Sequence, residues 1–228
     1  MILRGAIFDM DGTLLDSMPV WERLAVRFLE WMEVKPSADL PEVCRTMSLA
    51  EVSVYLHDHY HLPAAPDEIH NQINALLADQ YRNHIGLKPH VKSFLQNLQG
   101  KGVRMCVATA SDRPLVEAAL RRLDILGCFS FLITCSEVGA GKNDPLIFQR
   151  AMEQLQTPVQ ETLVFEDAVH AIRTAKKAGF RVAAVYDRSA ESDQAEIRSL
   201  ADYQLASFAE WPAAIILPPD PALPRSDF

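Results

Sequence analysis

The sequence has no long run of lysine and arginine, and its 228 residues carry a net charge of −8. Nucleic acid and anionic membrane attract basic patches, so neither is an expected partner. No apolar run approaches membrane-spanning length. Cysteine is scarce, and the four present (Cys44, Cys106, Cys128 and Cys135) lack metal-ligand spacing. Cys106 and Cys135 sit in apolar, strand-like runs, so buried free thiols in a reducing cytosol are the expected state. Met1 leads almost directly into a strand, which leaves no room for a signal peptide and sets the expectation of a cytoplasmic protein. There is no internal repeat. The G-x-x-x-x-G-K-[ST] spacing of a P-loop is also absent.

What is present is a chain of 49% hydrophobic residues, too apolar for disorder and long enough for one generous core plus an accessory domain. The apolar run Ile2, Leu3, Ala6, Ile7, Phe8 reads as a buried strand. From about Asp16 to about Ile85 the period changes. Val20, Leu24, Phe28 and Trp31/Met32 recur at helical spacing, as do residues within Pro41–Leu56 and Pro66–Tyr81, with proline breaks near Pro36 and at Pro63–Pro66. From Leu87 strand and helix alternate. Strands are expected at Val103–Ala108, Phe131–Thr134, Leu163–Phe165 and Arg181–Val185, with helices at Val91–Leu98, Pro114–Leu123, Pro145–Leu155 and Ala168–Ala178. This pattern predicts an α/β fold: a Rossmann-like, doubly wound parallel sheet with an inserted all-α cap of four-helix type. The expected domains are residues 1–15 with 86–208 as core, 16–85 as cap, and 209–228 as a proline-rich tail, extended or disordered.

The chemistry sits where strands end. Asp9-Met10-Asp11-Gly12-Thr13 places two carboxylates after the first strand, and Gly12 permits a sharp turn. One acid can attack an electrophile while the other moves a proton. Thr109-Ala110-Ser111-Asp112 offers a hydroxyl and backbone N–H groups at a strand-to-helix turn, an anion site in which Ser111 or Asp112 also caps the next helix. Lys142, after Gly139 and Gly141, can reach a phosphate as a point charge. Glu166-Asp167 closes the strand at Leu163–Phe165. Two acids there are costly unless something positive meets them. With Asp9 they supply hard oxygen ligands suited to Mg²⁺. The ordered set describes a phosphoryl-transfer site, where cations must offset the repulsion between carboxylate and phosphate.

The stretch Phe8-Asp9-Met10-Asp11-Gly12-Thr13-Leu14-Leu15-Asp16-Ser17, with the later motifs in order, resembles the haloacid dehalogenase-like (HAD) hydrolase superfamily over roughly residues 1–205. The insert directly after the first motif is similar to the helical cap of the branch containing phosphoglycolate phosphatase and β-phosphoglucomutase. The resemblance implies that Asp9 becomes an aspartyl phosphate, while Asp11 protonates the leaving alcohol and then activates water. Thr109 and Ala110 hold phosphoryl oxygens, Gly12 belongs to the phosphate site, and Lys142 clamps nucleophile and phosphate. Mg²⁺ is then held by Asp9, the Asp11 carbonyl and Asp167, with Glu166 in support. It also implies a cap that closes over the site about hinges near Leu15–Ser17 and Ile85–Pro89, with Trp21, Arg45 and Ser48 as candidate specificity residues. Arg45 would grip an anionic substrate group.

The sequence departs from its relatives at Asn143, where proline is usual, and at Ala168 and Ala171, where serine and glycine are common. The expected activity is a Mg²⁺-dependent phosphatase of a small phosphorylated metabolite, a sugar or polyol phosphate, working as a monomer or weak homodimer. The alternative is a phosphomutase of the β-phosphoglucomutase type, disfavoured by Trp21 where mutases often carry histidine. Asp11 argues against a dehalogenase, since halide leaves without a proton. The intact set Asp9, Asp11, Lys142, Asp167 argues against a non-catalytic binding protein. His57, His59 and His61 read as a polar, partly exposed helix end.

Overall fold

The computed structural model describes residues 2–44, 47, 49–210 and 215–217. The chain divides into two compact units, one of residues 1–16 with 86–228 and one of residues 17–85. The chain begins in the first with β1 (Gly5–Phe8), whose four residues are all buried. Ile2 lies before the strand proper, in an isolated bridge to Ile216, and Leu3 N–H donates to Ile216 C=O at 2.9 Å. So residues 215–217 of the proline-rich tail pair with the start of the chain, with Ile215 buried.

The unit of residues 17–85 is helical: α1 (Met18–Glu22), α2 (Leu24–Trp31), α3 (Leu40–Cys44), α4 (Leu49–Tyr60) and α5 (Pro66–Asp79). The stripe expected to run from Val20 to Met32 is broken at Arg23, and Trp31 is largely exposed, leaving Leu24, Ala25, Phe28 and Leu29 as the buried face. The stretch expected as one helix over Pro41–Leu56 is two, α3 and α4. Helix α5 starts as its sequence dictates, with Pro66 at the first turn and Asp67 and Glu68 facing the positive end of the helix. It runs on through a π turn, Gln80–His84, which buries Tyr81.

The remaining elements alternate: α6 (Val91–Gly100), β2 (Arg104–Thr109), α7 (Arg113–Arg122), β3 (Phe131–Thr134), α8 (Cys135–Val138), α9 (Leu146–Leu155), β4 (Thr162–Glu166), α10 (Val169–Lys177), β5 (Arg181–Val185), α11 (Gln194–Leu200) and β6 (Tyr203–Leu205). The sheet has six strands in the order β3-β2-β1-β4-β5-β6, and each pair is parallel. With helices on both faces, the inner strands read as continuous apolar runs rather than alternating ones. Successive side chains still face opposite ways. Ile7 and Val164 enter a core with Ile147, Phe148, Ala171 and Ile172 of α9 and α10. Phe8 stacks on Phe165 at 4.3 Å on the other face, with the Phe94 ring edge-on to Phe8.

β6 and α11 were not expected from the sequence. Cys135 does not continue a strand but starts α8. Cys106 alone is fully buried, where burial pushes its thiol up, while Cys44, Cys128 and Cys135 are half-buried.

Candidate active site

Register aligns the strand ends. Phe8 pairs with Val107 of β2 on one side and Phe165 of β4 on the other. The residues that follow on these strands therefore meet at one rim: Asp9 after β1, Thr109 two residues beyond Val107 at the end of β2, Glu166 closing β4 and then Asp167. β2 and β4 flank β1 on opposite sides, so this rim is where the strand order reverses, the place where open α/β sheets bind ligands.

The acid-bearing loop is a tight turn. Asp9 N–H donates to Phe165 C=O at 2.9 Å, the amides of Leu14 and Leu15 both donate to Met10 C=O, and Gly12 N–H donates to Leu15 C=O at 3.1 Å. Gly12 is required twice. Its φ of +84° lies in the left-handed region, and a Cβ there would sit 2.8 Å from Cγ of Asp167. Thr13 completes the approach, its hydroxyl donating to Asp167 Oδ1 at 2.8 Å.

Lys142 lies between β3 and β4 in sequence, in the loop from α8 to α9, and its side chain is buried. Its ammonium donates to Asp9 Oδ1, and to Glu166 Oε1 at 2.5 Å. The other Glu166 oxygen accepts the N–H groups of Asp167 at 2.8 Å and Ala168 at 3.0 Å. Glu166 thus satisfies amides at the start of α10, the job a capping reading would give Asp167. Asp167 is not the cap; Ala168 is, without a side-chain bond.

Asp9, Glu166 and Asp167 each bring a carboxylate oxygen within 4.8 Å of the others. Three carboxylates against one ammonium leave a buried excess of negative charge. Burial raises the Asp9 carboxyl to about 7, against the pull of Lys142, with Glu166 and Asp11 adding to the rise. Burial, then Glu166 and Asp9, also raise Asp167. For Lys142, burial works to lower the ammonium, but Asp9 and Glu166 outweigh it and hold it above its ordinary value. Hard oxygen donors with surplus negative charge fit a small divalent cation such as Mg²⁺.

This sets a pH dependence. Between the ordinary carboxyl value of 3.8 and the folded value of about 7, the folded state keeps a proton at Asp9 that the unfolded chain has released. Asp9 thereby lowers the stability of the metal-free protein as pH rises, on the order of 3 kcal/mol from about pH 5 to about pH 8, and Asp167 acts in the same direction. The His170 imidazole, held below its ordinary value by burial, works the other way. Asp9→Asn isolates the Asp9 share. Thermal melts in EDTA are expected to show a smaller fall with pH for this variant than for the wild type, and Mg²⁺ is expected to stabilise the wild type more at the higher pH. Equal pH slopes for the two proteins contradict the assignment.

Asp11 lies outside the carboxylate triad. Its Oδ2 accepts a 2.6 Å hydrogen bond from the Ser111 hydroxyl, and Thr109 Oγ1 accepts the Ser111 N–H at 3.0 Å. The expected capping of α7 by Ser111 or Asp112 is not what forms: Asp112 occupies the N-cap position without a side-chain bond, and Ser111 serves Asp11. Ala110 is exposed at the end of β2. Thr13 and the Ser111–Asp11 bond were missed in the sequence. The Thr in D-x-D-G-T was the available signal for the first, and nothing local signalled the second.

Among the cap candidates, Arg45 and Ser48 lie outside the described residues. The Trp21 indole N–H donates to the Tyr81 hydroxyl at 3.0 Å within the helical unit. The histidines are engaged separately: His57 Nδ1 lies 2.9 Å from Ala64 C=O, and His59 stacks on Tyr55. They form no metal group among the described residues.

Comparison with known proteins agrees with this architecture. The family described as Haloacid dehalogenase-like hydrolase matches residues 6–185. The chain is 31% identical over 180 residues to validoxylamine A 7'-phosphate phosphatase of Streptomyces hygroscopicus subsp. limoneus, covering 76% of this chain and 81% of that one. It is 24% identical to a phosphorylated carbohydrates phosphatase of Thermotoga maritima, covering 78% and 82%. Its fold resembles that of CbbY from Rhodobacter sphaeroides, crystallised in complex with phosphate, with a TM-score of 0.76, 23% identity and coverage of 91% and 96%. The chain belongs to the haloacid dehalogenase-like hydrolase family.

Proposed function

We propose that this chain is a Mg²⁺-dependent phosphatase that hydrolyses a small phosphorylated metabolite, a sugar or polyol phosphate, through an aspartyl phosphate on Asp9. The observation that carries the reading is the Lys142 ammonium held jointly by Asp9 and Glu166 at the carboxyl end of the central strand. A buried carboxylate beside a fixed ammonium is a nucleophile aimed at an anionic electrophile. The substrate class is supported by the relatives, whose names describe phosphatases of phosphorylated carbohydrates and of validoxylamine A 7'-phosphate.

In this reading an Asp9 oxygen attacks phosphorus, the P–O bond to the substrate breaks, and its electron pair leaves on the alcohol oxygen. Asp11 delivers a proton to that oxygen. Water then attacks the phosphorus of the acyl phosphate, Asp11 takes its proton, and phosphate departs with return of the Asp9 carboxylate. Ser111 donates to one Asp11 oxygen and so fixes the orientation of the carboxyl that transfers the proton. Thr109 and the Ala110 N–H receive phosphoryl oxygens, and Lys142 offsets their charge. Gly12 keeps the loop free of a side chain where it faces Asp167.

Asp9, the Asp11 carbonyl and Asp167 would hold Mg²⁺. Glu166 lies within reach, but its oxygens are already committed to Lys142 and two amides, so its support is to hold Lys142. When bound, Mg²⁺ supplies the positive charge that lets carboxylate and phosphate approach.

The test is phosphate release from a panel of sugar and polyol phosphates, glycolate phosphate, nucleoside monophosphates and an aryl phosphate, with Mg²⁺ or with EDTA. Metal-dependent release that favours sugar or polyol phosphates is expected, and silence from folded protein contradicts the reading. Asp167→Ala is expected to raise the Mg²⁺ concentration for half-maximal rate by roughly 10- to 100-fold, because a ligand and the anchor of Thr13 are lost together. An unchanged metal titration would remove Asp167 from the metal site.

A further inference from the structure

The chain re-enters the α/β unit through Gly86-Leu87-Lys88-Pro89, and this segment lies against the acid-bearing loop. Asp16 N–H donates to Gly86 C=O at 3.0 Å, Leu15 and Leu87 form an antiparallel bridge, and Lys88 N–H donates to Leu14 C=O at 2.9 Å. The loop it braces is the turn whose Leu14 and Leu15 amides converge on Met10 C=O, directly before Asp11. All these contacts are made by main chain, so they specify no position for the returning segment beyond the loop itself.

The Lys88 side chain supplies that position. Its ammonium pairs with Asp187 Oδ2 at 2.7 Å, with the two side chains only 11% and 7% exposed. It also donates to Tyr186 C=O at 2.6 Å. Asp187 directly follows Tyr186 after β5 and is itself fixed, its Oδ1 accepting the Ser189 N–H at 2.9 Å and hydroxyl at 2.7 Å. A buried ion pair is weak evidence of stabilisation, since desolvation cancels much of the attraction; what it does fix is geometry. The connection runs from the rigid end of β5, through Asp187 and Lys88, to Leu14 and so to the turn that carries Asp11.

We propose that Lys88 and Asp187 are positioning residues, a clamp that fixes the acid-bearing loop and through it the aim of Asp11. The proposal rests on the role of Asp11 as proton donor. That role makes a specific readout available. An alkyl phosphate needs its leaving alcohol protonated, whereas p-nitrophenolate leaves without a proton. A misplaced Asp11 therefore penalises the alkyl substrate selectively, while general weakening of the fold lowers both together.

The experiment compares kcat/KM, which reports transfer to Asp9, for glycerol phosphate and p-nitrophenyl phosphate in wild type, K88M/D187N, D187N and K88R. The double variant removes both charges together. This matters because the Asp187 charge is felt at Asp167. The alkyl-to-aryl ratio is expected to fall about tenfold in K88M/D187N, with the Mg²⁺ titration unchanged, to fall less in D187N, and to return toward wild type in K88R. Should the double variant not fold, D187N alone carries the comparison. A ratio equal to that of the wild type in a folded variant overturns the proposal. If the wild type releases phosphate from no member of the wider panel, the phosphatase reading fails by itself. Amide exchange of Leu14 and Leu15 then decides the clamp: faster exchange in the variant supports it, and equal exchange overturns it.

Discussion

Asp9→Asn is expected to abolish turnover, by at least roughly 10⁴-fold in kcat, while leaving the fold intact. An amide cannot form the acyl phosphate, so no part of the two-step route survives. The fold persists because the structural role of Asp9 is carried by its main chain, whose N–H is bonded to Phe165 C=O. Lys142 keeps its bond to Glu166, so no ammonium is stranded. The substitution even removes a carboxylate that burial had pushed up to about 7, which lowers the repulsion among the acids. Steady-state rates on the preferred substrate and a thermal melt check both halves. Retained turnover would sink the nucleophile assignment.

Lys142→Met is expected to fail differently, losing activity and stability together. It removes the only ammonium bonded to Asp9 and Glu166 among the described residues. Stranding one partner of a buried charged network costs about 3–5 kcal/mol. The rate should drop by roughly 10³-fold, because the fixed positive charge that offsets phosphate is gone. The destabilisation has a sign in pH. It is largest near pH 8, where Asp9 is ionised, and shrinks toward pH 5 as Asp9 takes up a proton. Added Mg²⁺ should restore part of the stability and little of the rate. A variant as stable as the wild type at pH 8 in EDTA would show that the triad does not depend on this ammonium.

The acids were legible because each stands at the end of an apolar run, and a parallel sheet brings such ends to one rim. β1, β2, β4 and β5 are buried throughout or nearly so, and their runs are continuous. β6 was not legible. It has three residues, sits at the sheet edge, and only Leu205 is buried. Helix α11 buries only Ile197, too little for a periodic signal.

The bonds that tune the site were beyond sequence reasoning for another reason. Thr13 and Asp167 are 154 positions apart, and Ser111 and Asp11 are 100 apart. Lys88 and Asp187, far apart in sequence, look like ordinary surface residues until the fold buries them. Local rules also gave Ser111 or Asp112 a capping bond to α7, whereas Asp112 takes the N-cap position without a side-chain bond. Such rules cannot weigh a distant carboxylate such as Asp11 that takes the Ser111 hydroxyl, or a Glu166 that takes the first amides of α10. At Arg23 the helical stripe was read through a break because apolar spacing continues across it while the backbone does not.

The most direct test of the central claim is to look for the covalent phosphoryl group. During turnover of the preferred substrate with Mg²⁺, the reaction is quenched in acid and the protein digested and weighed by mass spectrometry. Asp11→Asn is run alongside with p-nitrophenyl phosphate, whose leaving group needs no proton, so that only water attack is slowed and the intermediate should accumulate. A phosphoryl group is expected on the peptide containing Asp9, more of it in Asp11→Asn, and none in Asp9→Asn. Phosphate release with no label on Asp9 in either the wild type or Asp11→Asn, or label on another residue, would contradict that claim.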